Sequence, residues 1–200
     1  MTEPSLVMQE GRPMMSNVYN MSAEKALTSL KSGNEKYLDA DVNSGCISRS
    51  LRLQTYQEGQ TPYAVIVTCS DSRVIPESIF SAGIGELFVI RVAGNVIGAH
   101  QLGSIEYALE HLGCRLVVVL GHTNCGAVAA AIAGGAEGYI GSIMDEIQVA
   151  IGDEKDDYKA GCLNVDRSVL CIRKSLDLPE DVLVIGAMYH TDTGCVEFIV

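Results

Sequence analysis

A chain of 200 residues, 48% of them hydrophobic, carries enough apolar side chain for one buried core and too little for two domains of ordinary size. With 25 acidic against 14 basic residues the formal charge is −11; no Lys/Arg cluster offsets it, which argues against nucleic acid and membrane surfaces and for a small molecule or another copy of the chain as partner. No apolar run approaches the roughly 20 residues that span a bilayer, and the start has no apolar signal region, so the cytoplasm is the expected location and the seven cysteines read as metal ligands or reduced thiols rather than a disulfide framework.

Residues 1–21 hold no sustained period and read as a mobile lead-in; the folded domain is expected over 22–200. From Ser22, a plausible N-cap, the apolar positions Ala23, Ala26, Leu27, Leu30 and Tyr37 recur at helical spacing, with Gly33 as an interruption. A second helical stretch lies around Leu51 to Tyr56. An apolar, β-branched run follows at Tyr63 to Thr68, then a polar turn, a strand at Leu87 to Arg91, a helix from Leu102 to Leu112 and a strand at Arg115 to Leu120. Beyond them come a small-residue helix, Ala127 to Ala133, helical segments at Ile140 to Ile151 and Asn164 to Ser175, and strands at Val182 to Met188 and Val196 to Val200 around the turn Asp192-Thr193-Gly194. Continuous apolar strands separated by helices predict a single α/β domain with a mainly parallel central sheet flanked by helices.

Cys69 follows the first strand, and His122 and Cys125 follow the third. Ligands of open parallel sheets bind beyond the carboxyl ends of the strands, so these three side chains can converge. Together they form a Cys₂His set, a combination that catalytic zinc sites use while keeping a fourth position for water. Taken singly, each is more often a packing residue. Cys69-Ser70-Asp71-Ser72-Arg73 adds a carboxylate and a guanidinium at alternating positions. Asp71 can be a fourth metal ligand or an acceptor for metal-bound water; an Arg73 pair would hold it off the metal. Otherwise the two form an ordinary turn-stabilising ion pair.

Gly59-Gln60-x-Pro62, Cys69-Ser-Asp-Ser-Arg73, Gly85-Glu86-Leu87-Phe88-Val89-Ile90-Arg91, Ala93-Gly94-Asn95, Gly103-Ser104-Ile105-Glu106-Tyr107-Ala108 and Gly121-His122-x-x-Cys125-Gly126-Ala127-Val128 occur in this order. In that ordered set the chain resembles the β-class carbonic anhydrases, from about Ser22 to its end. The resemblance implies one Zn²⁺ per subunit on Cys69, His122 and Cys125, with Asp71 and Arg73 as the catalytic dyad and Asp71 as fourth ligand in a closed state. It implies Gln60, Phe88 and Ala93 as substrate-side residues, and a homodimer or higher homo-oligomer with an N-terminal helical arm lying on the partner subunit. The implied reaction is the reversible hydration of carbon dioxide to bicarbonate. Two rivals stand beside it: hydrolysis of carbonyl sulfide or carbon disulfide on the same scaffold, and, from a different class, a non-catalytic zinc domain or sensor with Asp71 permanently on the metal. Val92 stands where the family commonly has Asn, and Tyr189-His190-Thr191-Asp192 replaces a more usual pattern, which is expected to change only a turn. Cys46, Cys114, Cys162, Cys171 and Cys195 read as reduced structural or surface thiols. None of His100, His111 and His190 stands out as a proton shuttle.

Overall fold

The computed structural model describes residues 21–42, 45–135 and 137–199. Apart from Met21, the expected lead-in lies outside them. Helix α1 spans Ala23–Leu38 and is capped by Ser22, whose hydroxyl accepts the Lys25 N–H at 3.4 Å. Helix α2, Arg49–Glu58, starts at Ser48, which caps it by accepting from Leu51 N–H. Then β1 (Ala64–Thr68), α3 (Pro76–Ile79), β2 (Leu87–Arg91), α4 (Ala99–His111), β3 (Leu116–His122), α5 (Gly126–Ala133), α6 (Gly138–Ile151), α7 (Asp157–Ser175), β4 (Leu183–Tyr189) and β5 (Val196–Ile199) complete the order.

The sheet runs β2-β1-β3-β4-β5, with β1 to β4 parallel and β5 antiparallel to β4 at one edge. β1 and β3 are buried at every position, as apolar strands covered on both faces must be. On one face Ala64, Ile66, Val118 and Leu120 pack with Ala23, Ala26 and Leu30 of α1 and with Ile79 and Phe80. On the other, Val65, Val67, Val117 and Val119 meet Ile105 and Leu109 of α4 and Val165, Val169 and Ile172 of α7. A third cluster joins Cys69 and Cys125 to α5, α6 and Ala160 of α7. It caps the carboxyl end of the sheet. Among the described residues no single helix is long and apolar enough to cross a membrane.

Four expectations change. β3 continues past Leu120, because Gly121 and His122 pair in register with Met188 and Tyr189; His122 is therefore held in the sheet rather than beyond it. α7 begins seven residues before Asn164, since Asp156 caps it by accepting the Lys159 N–H at 2.9 Å, and the short α3 opens at Pro76, a residue suited to a first helical turn. Gly33 does not interrupt α1. The helix runs through it because a Cβ there would stand 1.9 Å from the Phe80 carbonyl oxygen, so glycine is what lets α1 touch that backbone. Gly33→Ala is expected to destabilise the fold by about 3 kcal/mol and lower the Tm by roughly 6–12 °C, measured by thermal unfolding. The buried face of α1 packs against its own sheet, so only its other side is open to a partner subunit.

Candidate metal centre

At the carboxyl ends of β1 and β3, the Thr68 hydroxyl donates to Leu120 O at 2.7 Å and locks the strand ends side by side. Cys69 follows β1 directly, His122 ends β3, and Cys125 is the N-cap of α5. Their ligand atoms all lie within 4.8 Å of one another, and all three residues are buried. The two sulfurs are 4.0 Å apart. A tetrahedral metal with bonds of about 2.3 Å to each would separate them by about 3.8 Å.

The His122 ring is oriented by its other nitrogen. Nδ1 donates to Thr123 O at 3.0 Å, which leaves Nε2 as the free lone pair, and Nε2 is buried without a hydrogen-bond partner. An orphaned buried nitrogen costs stability unless something occupies it, and a carbonyl-anchored imidazole is how metal-ligating histidines are held. The donor set thus fits Zn²⁺.

Cys69 Sγ accepts the Gly94 N–H at 3.3 Å. Gly94 sits at φ +66, and a Cβ on it would fall 2.6 Å from Ile147 Cδ1 and 3.1 Å from Ala127 Cβ, so this turn demands glycine on both conformation and space. Asn164 Nδ2 donates to Gly94 O at 2.7 Å, and the Ser168 hydroxyl to Asn95 O at 3.1 Å; α7 therefore fixes the turn that supports Cys69. Hydrogen bonding with the Cys125 sulfur, opposed by burial and aided by His122 and Gly94, drives the Cys69 thiol well below its ordinary value, while that same hydrogen bond, with burial and the Cys69 charge, pushes Cys125 up. The pair gives up one proton readily and holds the other. Burial opposes a charge on His122, but the neighbouring Cys69 outweighs it and raises that ring.

Asp71 stands beside this group and outside it. Arg73 grips its carboxylate in a fork, Nε to Oδ1 at 3.0 Å and Nη2 to Oδ2 at 2.8 Å, and the Arg73 N–H adds a bond to Oδ1 at 2.9 Å. Those bonds hold the Asp71 carboxyl well below the usual carboxylate range. Its Oδ2 is 3.9 Å from His122 Nε2, too far for a hydrogen bond and close enough to face whatever His122 binds. Arg91 secures the same turn from β2, donating to Asp71 O at 2.7 Å and Cys69 O at 3.2 Å. Arg91 stood in a quoted motif without a role; its long reach across the turn is invisible in a linear sequence.

Of the three residues expected on the substrate side, Ala93 lies next to Gly94 and so beside Cys69. Gln60 is exposed and precedes β1, whose five residues, roughly 17 Å of strand, separate it from Cys69. Phe88 pairs with Val65 in register, four residues and roughly 13 Å before Cys69, and its ring packs 6.2 Å from that of Tyr107. Neither reaches the Cys69–His122–Cys125 group of its own chain.

The unusual turn after β4 does more than turn. Thr191 donates its N–H to Thr123 Oγ1 at 3.0 Å, and the two hydroxyls lie 3.0 Å apart, tying the turn to the residue beside His122. Cys114 is buried, its thiol raised to about 12 by burial, and points at Pro62 O. Cys46 and Cys195 are exposed, Cys162 and Cys171 half-buried, and all are free thiols.

The family model described as carbonic anhydrase matches residues 64–196. Carbonic anhydrase 2 of Mycobacterium tuberculosis is 35% identical over 196 residues, 90% of this chain and 93% of that protein. The chain belongs to the β-carbonic anhydrase family. The carbonic anhydrase of Mycolicibacterium smegmatis is 38% identical over 151 residues, 74% of this chain and 72% of that one. Among solved structures, the Coccomyxa β-carbonic anhydrase in complex with acetazolamide superposes with a TM-score of 0.67 at 25% identity, over 76% of this chain and 78% of that chain. A tetrameric β-carbonic anhydrase of Sordaria macrospora shares the fold, with a TM-score of 0.62 at 24% identity over 75% and 91% of the two chains. The single α/β domain expected from the strand and helix pattern is thus the fold of this enzyme family.

Proposed function

We propose that this protein is a zinc carbonic anhydrase that interconverts carbon dioxide and bicarbonate, with Cys69, His122 and Cys125 as ligands of one Zn²⁺ per subunit and Asp71 and Arg73 as its dyad. One observation carries the reading: Arg73 occupies both oxygens of Asp71, so the carboxylate faces the donor set without entering it. A closed structural site has no use for a group that holds a carboxylate back, which favours an enzyme over a sensor. When bound, zinc supplies hydroxide near neutral pH by lowering the pKa of water from 15.7 toward about 7.

The residues of the chain do the rest. Asp71, kept ionised by Arg73, is an acceptor aimed at the fourth position; it accepts a hydrogen bond from the O–H of the attacking hydroxide, which keeps its hydrogen, and so turns a lone pair toward the carbon of carbon dioxide. One C–O bond forms, the product leaves as bicarbonate, and one proton passes to solvent for each turnover. Ala93 contributes wall beside Cys69. Gln60 and Phe88, remote from the ligands of their own chain, would be supplied by a second copy, so the working unit is a homodimer or a larger homo-oligomer, in keeping with the Sordaria relative described as tetrameric. The proposed location is the cytoplasm.

Stopped-flow hydration with a pH indicator tests this. The zinc-loaded protein is expected to hydrate carbon dioxide rapidly, the chelator-stripped protein not at all, and zinc to restore the rate. Full zinc occupancy without hydration at pH 8 would leave the sensor as the reading.

A further inference from the structure

We propose that Asp157, in the first turn of α7, is a positioning residue for the Asp71–Arg73 dyad and acts through the backbone of Asn124. This inference rests on the zinc-enzyme reading. The half-buried Asp157 carboxylate accepts the Asn124 N–H at 3.1 Å. Asn124 is the pivot between His122 and Cys125, and it holds a left-handed conformation at φ +55. For a residue other than glycine that conformation costs on the order of 1 kcal/mol and persists only where its surroundings impose it. Asp157 fixes the amide on one side of the pivot; on the other, Asn124 O accepts from Arg73 Nη2 at 3.0 Å. The same nitrogen donates to Asp71 Oδ2. A continuous path thus runs from Asp157 through Asn124 and Arg73 to the carboxylate that faces the metal ligands. It matters because the Arg73 side chain is half exposed and these hydrogen bonds orient its guanidinium.

An acidic residue in a first helical turn also stabilises the helix end, so the test must separate the two roles. Asp157→Asn removes the charge and keeps an oxygen that can accept from Asn124, whereas Asp157→Ala removes both. Turnover of the zinc enzyme is one readout and the visible spectrum of the Co²⁺-loaded protein is the other. A wild-type protein without a thiolate-to-cobalt band would end the zinc-site reading itself. With that band present, Asp157→Ala is expected to lower kcat about 10- to 100-fold with KM little changed, and to move the cobalt spectrum toward that of Arg73→Ala. The double variant should match Arg73→Ala alone, since both act along one path. Asp157→Asn should behave as wild type. A wild-type spectrum and kcat in Asp157→Ala, spectral shifts that add in the double variant, or an Asn variant as damaged as Ala would each overturn the proposal. If Asp157→Ala shows no cooperative thermal transition, Asp157→Ser, one bond too short to reach Asn124, takes its place with the same outcomes.

Discussion

Arg73→Ala is expected to keep its zinc and lose carbon dioxide hydration by roughly 100-fold or more, a loss of the size seen when one preorganised polar group at a reacting centre is removed. Arg73 makes three bonds to Asp71, two of which come from its guanidinium and vanish in alanine. The freed carboxylate, 3.9 Å from His122 Nε2, then faces a cation with nothing to restrain it, and coordination fills the position that substrate chemistry requires. Stability should hardly move. The Arg73 side chain is 51% exposed, and an exposed pair contributes about 0–1 kcal/mol. Metal analysis, stopped-flow rates and Tm on one preparation therefore distinguish the outcomes. Full activity would remove the dyad from the mechanism, and loss of zinc would make Arg73 a structural residue.

Cys69→Ser is expected to abolish hydration by abolishing the metal site. A hydroxyl does not ionise to a soft, anionic ligand near neutral pH as a thiol does, and serine would leave two donors where three are needed. The replacement is also placed where relaxation is difficult: Cys69 is 5% exposed, accepts the Gly94 N–H and packs with Cys125 in the cluster beneath α5. The expected result is a folded protein with little bound zinc and a hydration rate at the uncatalysed level, read by metal analysis beside stopped-flow assay. A serine variant that binds zinc stoichiometrically and turns over at the wild-type rate would remove Cys69 from the ligand set. For the wild type, zinc affinity should fall as pH falls, because thiolates and a neutral imidazole are the binding forms and protons compete for them.

Much of this was legible before any coordinates. The strand Leu87 to Arg91 has the bounds read from the sequence, and the parallel sheet followed from continuous apolar strands separated by helices. The candidate metal ligands stood out because cysteines and a histidine fell at strand ends beside an Asp-x-Arg turn. Other features escaped because no local pattern encodes them. The start of α7 was set by a cap rather than by apolar periodicity, the continuation of β3 by its pairing with β4, and the passage of α1 through Gly33 by an approach to Phe80. Each depends on a neighbour distant in the chain.

By itself the sequence determined the residue chemistry: which side chains can bind a soft cation, which turn carries the carboxylate and its arginine, and which segments are buried strands. These follow from composition and short-range spacing, since periodicity and side-chain type are local properties. Only the tertiary structure decided that residues 69 and 122 meet, because the strand order sets β1 beside β3 in parallel and brings their carboxyl ends together. Only it decided that Arg73 holds Asp71 off the Cys69–His122–Cys125 group, that α7 steadies the turn under Cys69, and that Gln60 and Phe88 lie far from that group in their own chain. Those outcomes turn on distances of a few ångström between groups far apart in sequence, and such distances are fixed by packing and strand register, which no local pattern contains.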